Sequence, residues 1–168
     1  MKTYQKKVCL LGDFAVGKTS LVRRYVKGRF DDKYLSTIGV KISRKTINRP
    51  SYALNLLLWD LAGGDSYHDT ASGYLRGASG ALVICDLTRA NTTPSLRQYI
   101  TQLRTFNPQV ALFLLGNKLD LTAEREISTE TLQTLSEEFG CPYLLTSAKT
   151  GEGVTEAFEQ LADLLDLE

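Results

Sequence analysis

A chain of 168 residues, 43% hydrophobic and 23% charged, is long enough to close a real hydrophobic core as one ordinary domain. A formal net charge of +1 gives no general field for nucleic acid or for an anionic membrane. The first ten residues carry three lysines, no run approaches the length of a membrane span, and the stretch 161–168 has no cysteine, so no signal peptide, span or prenylation box is expected here.

Lys2, Lys6 and Lys7 read as a solvated N-terminal edge. Residues 7–11 are a short apolar run ending at a glycine, which reads as a buried strand. Helical text follows from 18 to about 27, with Leu21, Val22, Tyr25 and Val26 on one face. An irregular polar segment occupies 28–39. Two extended runs, 40–47 and 52–59, flank a turn of asparagine, arginine, proline and serine and predict an antiparallel hairpin. Further apolar runs at 81–85, 110–115 and 142–145 have parallel-strand character. The helices between them show Leu96, Ile100 and Leu103 in one and Leu132, Leu135 and Phe139 in another, and Val154, Phe158, Leu161 and Leu165 mark a last helix. Thr93 is expected to cap the first of these helices ahead of Pro94, and Ser128 the second. The cysteines Cys9, Cys85 and Cys141 sit in apolar runs without metal-ligand spacing, which fits buried, inert thiols in a reducing cytosol. Alternation of this kind predicts an α/β fold: a doubly wound, six-stranded, mostly parallel sheet with one antiparallel strand and helices on both faces.

The text GDFAVGKT at 12–19 matches the P-loop pattern of strand, glycine-rich turn and helix. Backbone N–H groups from Phe14, Ala15, Val16, Gly17, Lys18, Thr19 and Ser20 would converge on phosphates at the positive end of the helix. Lys18 would supply mobile charge to the β and γ groups, and the Thr19 hydroxyl a Mg²⁺ ligand. Asp60, ending an apolar strand, reads as the acid that holds the Mg²⁺ water shell, or as a simple strand-ending carboxylate. Another apolar strand ends in NKLD at 117–120. The Asp120 carboxylate can accept from both N1–H and the exocyclic amine of guanine, a pair adenine does not offer. Asn117 would brace the loop, the Lys118 stem would lie along the base, and Ser147, Ala148 and Lys149 would close the other side, the Ala148 N–H reaching the guanine oxygen. All of these fall at strand carboxyl ends, where doubly wound sheets bind ligands.

Together these residues resemble the Ras superfamily of small GTPases over essentially the whole length, with closest likeness to the Rab branch. The likeness is carried by the P-loop text, YLSTIGV at 34–40, WDLAG at 59–63 and YLRGA at 74–78. It implies a P-loop NTPase fold, one small GTPase domain over 1–168, and GTP or GDP with Mg²⁺ as ligands. It implies that Thr37 ligates Mg²⁺ and meets the γ-phosphate, that Gly63 offers it a backbone N–H, that Phe30 packs against guanine and that Tyr34 covers the phosphates. A Rab-type surface patch maps onto Ile42, Trp59 and Tyr74, with Trp59 equally readable as core. The expected partners are an exchange factor, a GTPase-activating protein and an effector contacting two switch regions, about 30–42 and 60–78, of a cytoplasmic monomer. Membrane association is expected only through a cysteine-bearing tail that this sequence does not contain.

Departures from the family pattern are sharper. The second-switch glutamine that orients the attacking water is replaced by Gly64, and Phe14 occupies a P-loop position that is usually small. A bulky ring there would crowd the approach of a partner's arginine. Slow intrinsic hydrolysis follows as an expectation, unless Asp65 or His68 compensates. A nucleotide-locked binding module with negligible turnover is the competing reading, while the NKLD text disfavours a P-loop ATPase or kinase.

Overall fold

The structure, a computed structural model, describes residues 1–30, 39–63 and 73–168. Its strands are β1 (Lys2–Leu11), β2 (Val40–Asn48), β3 (Tyr52–Leu61), β4 (Ala78–Asp86), β5 (Ala111–Asn117) and β6 (Tyr143–Leu145). They form one sheet in the order β2-β3-β1-β4-β5-β6. Among the described residues only the β2–β3 pair is antiparallel, closed by a hairpin in which Arg49 N–H donates to Tyr52 O at 2.8 Å. The other four pairings are parallel, so the six-stranded mixed sheet is the one the alternation predicts.

Among the described residues, the sheet is covered by the helices α1 (Lys18–Lys27), α2 (Leu96–Phe106), α3 (Thr129–Phe139) and α4 (Val154–Leu164). Because strand side chains alternate, odd and even positions of β1 feed two different cores. Cys9 and Leu11 join Ala81, Val83, Leu112 and Leu114 beneath Leu96, Ile100 and Leu103 of α2 and Leu132, Leu135 and Phe139 of α3. Val8 and Leu10 join Leu56, Leu58, Leu82, Phe113 and Leu115 beneath Leu21, Val22 and Tyr25 of α1 and Val154, Phe158 and Leu161 of α4. On that second face Tyr25 and Phe158 stack at 4.2 Å with ring planes 7° apart. The central strands are buried on both sides, which is why they read as continuous apolar runs rather than alternating ones.

Several expectations change in detail. β1 begins at Lys2 rather than Lys7, because pairing with β3 from Lys2–Tyr52 onward extends it beyond its apolar stretch. Lys7 is not merely solvated: its Nζ lies 3.7 Å from the Trp59 ring centroid and donates to Arg76 O at 2.7 Å. Thr93 does not cap α2. A 3-10 turn at Ala90–Thr92 comes first, Thr93 Oγ1 turns back to Ala90 O at 3.1 Å, and Ser95 is the residue preceding the helix. Cys9 and Cys85 are buried and Cys141 half-buried; burial pushes the first two thiols up to about 12 and the third to about 11, so all stay protonated at neutral pH.

The Ser128 cap forms as expected, its Oγ accepting from Thr131 N–H at 3.1 Å. Ser128→Ala should cost about 1 kcal/mol, read as a lower urea midpoint at fixed nucleotide and Mg²⁺ concentration with an unchanged slope.

Candidate functional site

The chain leaves β1 toward one edge of the sheet and β4 toward the other, so a crevice opens between the carboxyl ends of these neighbouring strands. The loop after β1 enters it with Ala15 at φ 63 and Gly17 at φ 105, both left-handed. Gly17 precedes α1 and supplies no side-chain cap, so the helix presents its first N–H groups to the crevice. A Cβ on Gly17 would stand 2.3 Å from Asn117 Nδ2, and one on Gly63 would stand 2.5 Å from Gly12 O and 2.8 Å from Phe14 N. Both glycines are therefore required by close approach. Gly63 lies directly against the backbone of Gly12, Asp13 and Phe14.

Lys18 is buried, its Nζ donating to Gly12 O at 2.8 Å and Asp13 O at 3.1 Å. Burial pulls its ammonium down to about 8, with the Asp60 and Asp13 charges acting in the opposite direction. The Thr19 hydroxyl donates to Asp60 Oδ2 at 2.5 Å. Two hard oxygen donors this close, beside a buried cation and a cradle that a Cβ would fill, fit a small divalent ion with a polyphosphate. Val16 is fully buried and Ser20 half-buried on the first turn of α1, while Phe14 keeps 55% exposure.

The base-side residues converge on the same crevice. Asn117 is buried at the end of β5; its Nδ2 donates to Val16 O at 3.0 Å and its Oδ1 accepts from Thr146 Oγ1 at 3.1 Å. Lys118 adopts φ 72 and pairs with Asp86 at 2.9 Å. Ser147 Oγ donates to Asp120 Oδ1 at 2.8 Å and accepts from Thr150 N–H at 3.1 Å, which orients the carboxylate. Ala148 is buried and Lys149 exposed. Phe30 is half-buried at the edge of the core under α1 and α4. Tyr34, Thr37, Gly64, Asp65 and His68 lie outside the described residues.

Four residues escaped the sequence reading. Asp86 is fully buried; burial pushes its carboxyl up, but hydrogen bonds from Lys118, Thr88 and Arg89 outweigh this and hold it below the usual range. Arg89 bonds Asp86 at 2.9 Å and Phe14 O at 2.8 Å, linking the end of β4 to the phosphate loop. Asp13 accepts from the Ser95 and Tyr99 hydroxyls at 2.7 and 2.8 Å. Arg24 reaches across to the 148–149 backbone. Asp86 had a usable signal, a carboxylate ending an apolar strand as Asp60 does; the other three depend on contacts remote in sequence.

A family model described as the Ras family matches residues 7–166. The chain belongs to the Ras family. It is 39% identical to Ras-related protein Rab-5A of Dictyostelium discoideum, an alignment covering 98% of this chain and 82% of that protein. It is 35% identical to GTP-binding protein YPTM2 of Zea mays, over 95% of this chain and 79% of that one. Ras-related protein Rab-21 of Bos taurus is also 35% identical, over 95% and 72%. The chain is thus a Rab-like Ras-superfamily GTPase. The Rab-type patch comes together in this GTPase: Ile42, 52% exposed, pairs opposite Trp59, whose ring lies 6.2 Å from that of Tyr74. Trp59 and Tyr74 also pack, half-buried, on the core beneath α2 and α3, as the core reading of Trp59 expects. No helix among the described residues is long and apolar enough to cross a membrane.

Phosphate binding favours charged Lys18, so affinity for GDP should be full below about pH 8 and fall as the pH rises through that value. Titration calorimetry from about pH 7 to about pH 8.5 should show proton uptake on binding, lost in Lys18→Ala.

Proposed function

We propose that residues 1–168 form one guanine-nucleotide switch domain that cycles between GTP and GDP forms with Mg²⁺, hydrolyses GTP slowly on its own, and regulates vesicle trafficking or a related cytosolic process. The observation that carries this reading is the Asn117 side chain, bonded at once to the phosphate loop and to the strand end before Ser147. Its two bonds draw the segments 12–19 and 117–120 and the loop after β6 together, which supports one shared site.

In this reading the backbone of 14–20 wraps the phosphates, and Lys18 donates to their β and γ oxygens after giving up part of its hold on Gly12 O and Asp13 O. Thr19, Asp60 and Thr37 would hold Mg²⁺, which would supply positive charge to balance that building on the phosphate oxygens. Gly63 donates its N–H to the γ-phosphate. Lys18, Thr37 and Gly63 are the groups that meet the reacting phosphoryl. Asp120, already oriented by Ser147, accepts from the guanine edge; Lys118, pinned by Asp86, underlies the base; Phe30 flanks it; Tyr34 covers the phosphates; and Ala148 and Lys149 close the far side. Loss of the γ-phosphate releases Thr37 and Gly63, and with them the segments about 30–42 and 60–78 that exchange factor, activating protein and effector would read.

Slow hydrolysis rests on Gly64, which has no side chain with which to orient water, and on Phe14. Arg89 holds the Phe14 carbonyl at 2.8 Å, and the ring keeps 55% exposure at the mouth of the site, where it would obstruct an incoming arginine. Exclusion of such an arginine removes an acceleration of roughly 10³–10⁵. The second reading, a nucleotide-locked module with negligible turnover, is favoured by the same two residues. Phosphate release with and without cell extract separates the two.

Asp120→Asn should weaken GDP about 10²-fold by removing two charge-assisted hydrogen bonds and should shift preference toward xanthosine diphosphate; retained guanine preference would sink the base-site assignment. Gly64→Gln should raise the single-turnover hydrolysis rate by about tenfold or more. A wild-type rate already equal to that of glutamine-bearing relatives, and lost on mutating Asp65 or His68, would overturn the slow-switch reading.

A further inference from the structure

Arg24 sits on α1, the helix that starts at the phosphate loop, yet its guanidinium serves the other end of the site. Nε donates to Ala148 O at 2.8 Å, one terminal nitrogen donates to Lys149 O, and the other lies 3.4 Å from Gly28 O. Two of these acceptors are consecutive peptide carbonyls, which suits the planar fork of an arginine and not the single ammonium of a lysine. Gly151 packs beside the same side chain, where a Cβ would meet Arg24 Cδ at 3.6 Å. The flanks of this loop are held separately, by Thr146 N–H to Gly116 O at 2.8 Å and Ser147 N–H to Glu152 O at 2.9 Å. Its apex at 148–149 is what Arg24 grips.

We propose that Arg24 is a positioning residue for guanine recognition. By fixing the carbonyls of Ala148 and Lys149 to α1, it aims the neighbouring Ala148 N–H at the guanine oxygen. The inference rests on the base-site reading above and adds to it a link between its two halves. The helix that bears Lys18 and Thr19 at one end sets the depth of the base loop near its other end, so phosphate and base contacts keep one spacing. The Gly28 contact extends the grip toward the segment that carries Phe30. Arg24 does not touch the Asp120 carboxylate, whose partner is Ser147. Its loss should therefore blur recognition of the guanine oxygen and spare recognition of the exocyclic amine.

The test compares dissociation constants of GDP, of 2-aminopurine riboside diphosphate, which lacks the oxygen and the N1–H that meets Asp120, and of inosine diphosphate, which lacks only the amine. The N1–H share of the first penalty belongs to Asp120 and is the same in every Arg24 variant. The whole chain is used as wild type, Arg24→Ala, Arg24→Lys and Lys27→Ala. Ratios are taken within one protein sample, so partial unfolding cancels. In Arg24→Ala the penalty for losing the oxygen should shrink about tenfold, while the penalty for losing the amine stays at its wild-type value. Arg24→Lys should fall between, and Lys27→Ala, on the exposed end of the same helix, should match wild type. Equal weakening of all three nucleotides in Arg24→Ala, or no change in either ratio, overturns the proposal. A wild type that penalises neither loss overturns the base-site reading and this inference with it; a wild type that penalises both, with Arg24 variants unchanged, overturns the inference alone.

Discussion

One buried amide ties the candidate site together. Asn117 spends its Nδ2 on the Val16 carbonyl and its Oδ1 on the Thr146 hydroxyl, so the loops after β1, β5 and β6 are held at fixed separation. A buried amide left half-satisfied would cost about 1–3 kcal/mol, which makes the arrangement nearly all-or-none. The glycine at 17 belongs to the same constraint, since any side chain there would collide with Asn117 Nδ2. Phosphate loop and base loop are thus two sides of one packed object.

That object is stiffened by charge. Asp86, wholly inside the protein, balances Lys118 on the base side and Arg89 on the phosphate side, and Arg89 continues to the Phe14 carbonyl. A buried carboxylate is tolerable only with such partners, and removing either cation would leave it underpaired. Asp13 carries the same logic outward through Ser95 and Tyr99 to α2. Lys18, by contrast, has neutral carbonyls as its hydrogen-bond acceptors and keeps a lowered proton affinity. The buried carboxylate of Asp86 is thus paired with two cations, whereas the buried Lys18 ammonium is bonded to two peptide carbonyls.

The surface tells a mixed story. Ile42, Trp59 and Tyr74 form the Rab-type patch, but the Lys7 ammonium lies over the Trp59 ring, so this face is cationic as well as apolar. Phe14 adds an exposed aromatic ring beside the crevice.

The sequence by itself determined the sheet, its two cores and the motif residues at 12–20, 60, 117–120 and 147–149, because each follows from local rules. Burial on both faces makes strands 8–11, 81–85 and 112–115 uniformly apolar, helical spacing marks Leu132, Leu135 and Phe139, and the glycine-rich text at 12–19 stands between a strand and a helix as the P-loop pattern requires. The Ser128 cap was legible because its acceptor and donor lie within one turn, whereas Thr93 misled because the 3-10 turn after β4 takes up the chain before α2 begins. Tertiary structure alone decided that β1 runs back to Lys2, that Lys7 covers Trp59, that Asp13 belongs to α2, and that Arg24 grips the base loop. Arg24 and Ala148 stand 124 positions apart, as the hydrogen bond between them records. A contact of that kind has no periodicity and no motif; it exists only because the sheet order brings the second turn of α1 beside the loop after β6.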